Sequence, residues 1–142
     1  MKITAKQIHE ISQELQTGLK VYINLETLEL KSILDFEDSF GDTEFWEEEL
    51  ERIETEWTNY TTISKMESWE AFKIMEDFVE EVKDQKLKEY LIKILNRRSP
   101  FANFKAEVES SSYRQTWFDF RDKQYENYVR EQLENEKIQY EK

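Results

Sequence analysis

The sequence predicts an α+β fold: a small antiparallel sheet, made of a hairpin plus a third strand, packed with a predominantly helical C-terminal part. Three observations predict it. Over residues 19–34 apolar and polar side chains alternate, whereas from residue 65 onward the apolar ones recur every three or four positions. The stretch EWTNYTTIS, residues 56–64, is dense in β-branched and aromatic residues. With only two glycines and one proline, the chain has no linker-like stretch, so one domain is expected over 1–142. Within it, residues 19–64 form a mixed strand and acidic-helix region and residues 65–136 a helical region.

The elements follow in order. Thr4 caps a first helix with Ile8, Ile11 and Leu15 on one face, and Gly18 stops it. In LKVYINLETLELKSIL, residues 19–34, Val21, Ile23 and Leu25 alternate, and Leu28, Leu30 and Ile33 resume the pattern after a Glu26–Thr27 connection. No Asn-Gly pair fixes the turn type. TEFWEEELERIETE, residues 43–56, reads as an acidic helix with Phe45, Trp46, Leu50 and Ile53 inward. EWTNYTTIS supplies the third strand. Ser64 and Glu67 have capping-box spacing, which predicts a helix start there and a stripe of Phe72, Met75, Phe78, Val79 and Val82. Asp84 caps the next helix, with Leu87, Leu91, Ile94 and Leu95 inward. Ser99 followed by Pro100 marks another start, because proline's missing N–H is not needed at the first helical position. Phe101, Phe104 and Val108 then recur at helical spacing and read as core. The last helix runs from about Ser112 to about Asn135, with an apolar side broad enough for two neighbours. The tail KIQYEK is expected to fray.

Hydrophobic residues make up 38% of the chain and aromatics 14%, so rings must supply much of the core area. Without cysteine, the chain has no disulfide, thiolate ligand or cysteine nucleophile. No apolar run reaches membrane-spanning length, and the N-terminus lacks a signal-peptide core, so a cytoplasmic location is expected. The net charge of −12 is unevenly placed. Residues 35–56 hold 11 acids against one base, Arg52, a net of −10. Residues 86–105 hold six bases against Glu89, a net of +5.

Catalytic signals are weak. HEISQ opens like the zinc-protease pattern, but Gln13 stands where the second histidine is needed, and His9 reads as a surface residue. The glycine count rules out a phosphate-cradling loop. The pairs Glu47–Glu51, Glu76–Glu80 and Asp77–Glu81 sit one helical turn apart, the spacing of solvated charged faces. No catalytic residue, metal or cofactor is assigned. The stronger signal is the cluster Arg97, Arg98, Lys105 and Arg121. Two arginines just before a helix start add side-chain charge to the positive end of the helix dipole, an arrangement suited to an anion. The alternative is structural: Arg97 and Arg98 satisfy the last carbonyls of the preceding helix, while Lys105 and Arg121 pair with Glu107, Asp119 or Asp122.

PFANFK at 100–105 and TWFDFRD at 116–122, preceded by AFKIMEDFVEEVKDQKLKEYLIKIL at 71–95, resemble the bacterial uncharacterised protein family 0158. Met75, Phe78 and Val79, then Phe101, Phe104 and Lys105, then Trp117, Phe118, Phe120 and Arg121 carry the resemblance, which extends over residues 66–137. It implies a common fold and no particular activity. Ser99–Pro100 replaces a smaller pair, and Ala102–Asn103 replaces a basic pair, which weakens any anion site the family has. The expectation is a non-enzymatic interaction protein with charge-segregated surfaces, contacting a protein partner or further copies of itself, with nucleic acid disfavoured by the net charge. The alternative is a small-anion binder, or an enzyme acting on a phosphorylated ligand gathered by the four cations.

Overall fold

The computed structural model describes residues 2–34 and 59–141. The expected helix over 43–56 lies outside the described residues. The described chain is α+β and divides into two compact units. One contains residues up to Lys65 together with Tyr125 onward; the other is Met66–Gln124.

In the first unit, α1 (Ala5–Gln16) starts at Thr4, whose hydroxyl accepts from the Gln7 amide at 3.1 Å while the Gln7 side chain accepts from the Thr4 amide at 2.9 Å. Gly18 follows the helix at φ +92°, a conformation glycine takes without steric cost. Strands β1 (Leu19–Asn24), β2 (Leu30–Leu34) and β3 (Tyr60–Ile63) form an antiparallel sheet in the order β2-β1-β3. The hairpin and the third strand are thus present. The turn problem left open by the sequence is solved by Asn24: its Oδ1 accepts from the amides of Glu26 at 2.8 Å and Thr27 at 3.1 Å. Leu28 closes the loop at φ +61°. Val21 and Ile23 are buried on one sheet face with Ile63. Ile33, opposite Lys20 in the register, is buried on the other.

The tail corrects an expectation. Residues after α5 (Arg114–Asn135) do not fray. Lys137 at φ +59° reverses the chain, and the Ile138 amide donates to the Leu133 carbonyl at 2.9 Å, a Schellman-type closure. Tyr140 then pairs in parallel with Ile3, through Ile3 N to Gln139 O at 2.9 Å and Glu141 N to Ile3 O at 2.8 Å. Ile138 joins the core of Ile3, Ile8, Ile11, Leu15, Val129 and Leu133. Together with Tyr140, which packs partly buried against the same core, it anchors a segment that is otherwise polar.

The second unit is helical: α2 (Ser68–Glu81), α3 (Gln85–Leu95), α4 (Pro100–Glu109) and the first half of α5. Helix α2 begins later than Ser64 predicts. Glu67 is the cap, and a Glu67–Glu70 capping box replaces the Ser64–Glu67 one. Ser64 precedes the unit, and its carbonyl accepts from the Tyr128 hydroxyl at 2.7 Å. Asp84 caps α3 as expected, accepting from the amides of Lys86 and Leu87. The core is an aromatic cluster centred on Phe78, whose ring lies 5.2 Å from Trp117, 5.4 Å from Phe120 and 6.4 Å from Phe104. Phe104 and Trp117 close the cluster at 5.1 Å. Edge-to-face pairs of this kind add about 0.5–1.5 kcal/mol each beyond area burial. Phe104 is fully buried and Trp117 nearly so, in line with the inward reading of these rings. Phe101 is not core: it is 43% exposed, and among the described residues its ring contact is edge-on, to Phe72.

Candidate functional site

Three of the four singled-out cations sit at the corner between α3 and α4 or just beyond it. Helix α3 ends at Asn96, whose side-chain amide donates to the Ile92 carbonyl at 2.9 Å. The Arg97 backbone amide shares in the closure, donating to the Ile94 carbonyl at 3.1 Å. Arg97 and Arg98 follow on exposed backbone. Ser99 then turns the chain in the left-handed region, φ 51° and ψ 51°, and Pro100 fixes the first helical φ.

That left-handed turn has a chemical consequence. A capping serine normally has extended backbone, which aims its hydroxyl at the second or third helical amide. Ser99 does not, and its side chain makes no cap hydrogen bond. The start signal in the sequence was right, but the cap chemistry attached to it was not. The corner is braced instead by Asn103. Its side-chain amide donates to the Arg98 carbonyl at 3.0 Å and its backbone amide to the Ser99 carbonyl at 3.1 Å. The first turn of α4 is thus left without a side-chain acceptor, with two guanidinium groups on the chain just before it.

Among the described residues, Arg97, Arg98 and Lys105 are exposed and form no ion pair. Other cations nearby are compensated: Lys73 meets Asp77 at 3.0 Å and Lys88 meets Glu80 at 3.6 Å. Lys105 lies on the outer face of α4, one turn beyond Phe101. Arg121 behaves differently. Its guanidinium stacks 4.9 Å from the Phe118 ring centroid and reaches Asp122 at 3.5 Å, while its buried Nε has no hydrogen-bond partner. Arg114 covers the same ring at 5.3 Å. The corner therefore gathers Arg97 and Arg98, with Lys105 along the same helix, whereas Arg121 has partners of its own on α5.

Two exposed rings, Tyr90 and Trp69, stand outside the charge run and the core stripes that the sequence marks. Lys86, Tyr90 and Lys93 recur at one- and two-turn spacing on exposed positions of α3, extending the basic character along that helix. Tyr90, at 47% exposure, stands among them. The second is Trp69, 68% exposed on α2. Its indole donates to Glu67 at 3.0 Å. Its position off the buried Met75–Phe78–Val79 stripe was the available signal.

His9 is a surface residue of α1, 3.9 Å from Glu126. Among the described residues, no group of three or more His, Cys, Asp or Glu side chains is placed to hold a metal. Nor is any helix there long and apolar enough to cross a membrane. Glu76, Glu80, Asp77 and Glu81 lie on exposed positions of α2, and Glu47–Glu51 falls outside the described residues.

A family model described as an uncharacterised protein family, UPF0158, matches residues 39–141. No curated protein and no solved structure matches the chain.

Proposed function

The chain belongs to uncharacterised protein family UPF0158, and from that premise we propose that it is a non-enzymatic cytoplasmic binding protein whose α3–α4 corner receives an acidic partner. One observation carries this reading. Arg97, Arg98 and Lys105 are exposed and, among the described residues, without an ion pair, around a helix start whose own serine does not cap it. In a chain of net charge −12, carboxylates are plentiful. Three cations left unpaired beside a helix N-terminus are positioned for negative charge from elsewhere. The strongly acidic 35–56 sequence supplies the complementary charge for a basic partner or for a further copy of the chain.

The small-anion alternative draws support only from the corner, since Arg121 is engaged by Phe118 and Asp122. An extended acidic partner suits cations strung along α3 and α4 better than a compact phosphate does.

The test is anisotropy of a fluorescein-labelled oligoglutamate against the intact protein at rising salt. Binding is expected at low salt, weakening as salt screens it, and lost in the triple variant Arg97→Glu, Arg98→Glu, Lys105→Glu. Because the protein as a whole repels such a probe, binding that survives both high salt and charge reversal would overturn the proposal, as would no binding at low salt.

A further inference from the structure

We infer that the partner is anchored by an aromatic side chain as well as by charge, in a groove between α2 and α4 built from Trp69, Phe72 and Phe101, so that the occupant is an acidic segment of a partner protein carrying aromatic residues. This rests on the acidic-partner reading and gives that partner its chemistry.

The groove holds about 480 Å3 and is lined by Ser68, Trp69, Phe72, Lys73, Glu76 and Phe101. Its surface is predominantly ring. Trp69 is 68% exposed and Phe101 43%, and Phe72 meets Phe101 edge-on at 6.4 Å with planes 71° apart. Isolated exposed apolar residues are ordinary, but neighbouring exposed rings are not. Trp69 is also held in place: the bond from its indole to Glu67 fixes the ring while leaving its face in water. A tryptophan kept ordered and exposed has already lost part of the rotamer freedom that binding would remove, which is the property of an interface anchor.

Charge selects the occupant. On the α4 side, Phe101 is followed one turn later by Lys105 and preceded by Arg97 and Arg98, all three exposed and without ion pairs among the described residues. On the α2 side Lys73 is neutralised by Asp77, and Glu76 and Glu67 face the solvent. On α4 itself Lys105 is followed by Glu107 and Glu109, so the uncompensated positive charge is concentrated at Arg97 and Arg98, just before the helix, with Lys105 beyond them. A segment that seats a ring on Trp69 and Phe101 and continues toward the start of α4 meets cations, so its flanking residues are acidic. Polyanions without rings satisfy the cations but leave the groove wet. Apolar peptides without acids fill the groove but leave the cations unpaired. The fitting class has both features.

The chain's own sequence provides a probe with that chemistry: DFEDSFGDTEFWEE, residues 35–48, which interleaves Phe36, Phe40, Phe45 and Trp46 with acids. A labelled peptide of this sequence, and a second with its four aromatic residues replaced by serine, are titrated into the intact protein, into Trp69→Ala and Phe101→Ala, and into Arg97→Glu/Arg98→Glu. The aromatic peptide is expected to bind at least about tenfold more tightly than its serine version, and each ring variant to lose at least about tenfold for the aromatic peptide alone. Both ring positions are exposed enough for the variants to keep their far-UV circular dichroism and to melt within about 4 °C of the unaltered protein. Equal affinity for the two peptides, or aromatic-peptide binding indifferent to Trp69→Ala and Phe101→Ala, overturns the anchor while the acidic-partner reading stands. Binding of the aromatic peptide that ignores Arg97→Glu/Arg98→Glu removes the charge half. Failure of both peptides to bind overturns both readings.

Discussion

Phe104 and Phe101 are three residues apart on α4, and replacing each by alanine should have very different consequences. Phe104 is fully buried and touches two rings, Phe78 at 6.4 Å and Trp117 at 5.1 Å. Its truncation removes the transfer energy of a whole ring, two edge-to-face contacts and the packing of the space left behind, about 3–5 kcal/mol. Phe101 is 43% exposed with one edge contact, to Phe72 at 6.4 Å. Roughly half of a full burial term of about 1.5–3 kcal/mol is at stake there. Part of that is returned because alanine is the better helix former, leaving a net loss of about 1 kcal/mol or less. At about 4 °C per kcal/mol, the melting temperature should fall by about 12–20 °C for Phe104→Ala and about 4 °C or less for Phe101→Ala. Far-UV circular dichroism on heating measures both, and its coincidence with the tryptophan-fluorescence transition checks that one transition is being followed. Equal losses for the two variants would refute the division of this helix into a core face and an exposed face.

Three further outcomes follow from the first unit. Lys137 reverses the chain with positive φ, so Lys137→Gly should stabilise by about 0.5–1 kcal/mol in urea melts, and a loss of stability would speak against the Schellman closure. Ile138→Ala should cost about 2 kcal/mol or more because the tail is docked. No change would restore the frayed tail. Hydrogen bonding to Glu134 raises the Tyr140 phenol above its ordinary value. That contact is intact below about pH 10 and is lost as pH climbs through the raised value. Spectrophotometric titration should therefore lose a late-ionising tyrosine in Tyr140→Phe, and an unchanged profile would count against the contact.

Much of the fold was legible because its signals are local. Thr4, Asp84 and Pro100 mark helix starts through their own chemistry, and the alternation of Val21 and Ile23 declares a strand. The misses share a cause: they depend on tertiary partners. Ser64 had the spacing of a cap, but Glu67 holds the position instead. The tail looked polar, yet Ile138 and the Ile3 pairing hold it. Phe101 had the same helical spacing as Phe104, and spacing cannot say how far a neighbouring helix extends over a face. At the site, the sequence marked Arg97, Arg98 and Lys105 through the charge run. It could not show that the Asn96 side chain bonds back to the Ile92 carbonyl, one of several partners open to an asparagine at a helix end, or that Ser99 takes a left-handed backbone and makes no cap bond. For Trp69 the only sign is its place off the Met75–Phe78–Val79 stripe, which puts the ring outside the core but does not say which helix it stands beside.

In the proposed function, negative charge is received at the start of α4. The most direct measurement is amide nitrogen–proton correlation spectra of the isotope-labelled protein during titration with oligoglutamate. The largest shifts should fall on Arg97, Arg98, Phe101, Ala102 and Lys105, with the amides of α1 and the sheet unmoved. Shifts centred anywhere else, or none at low salt, would contradict it.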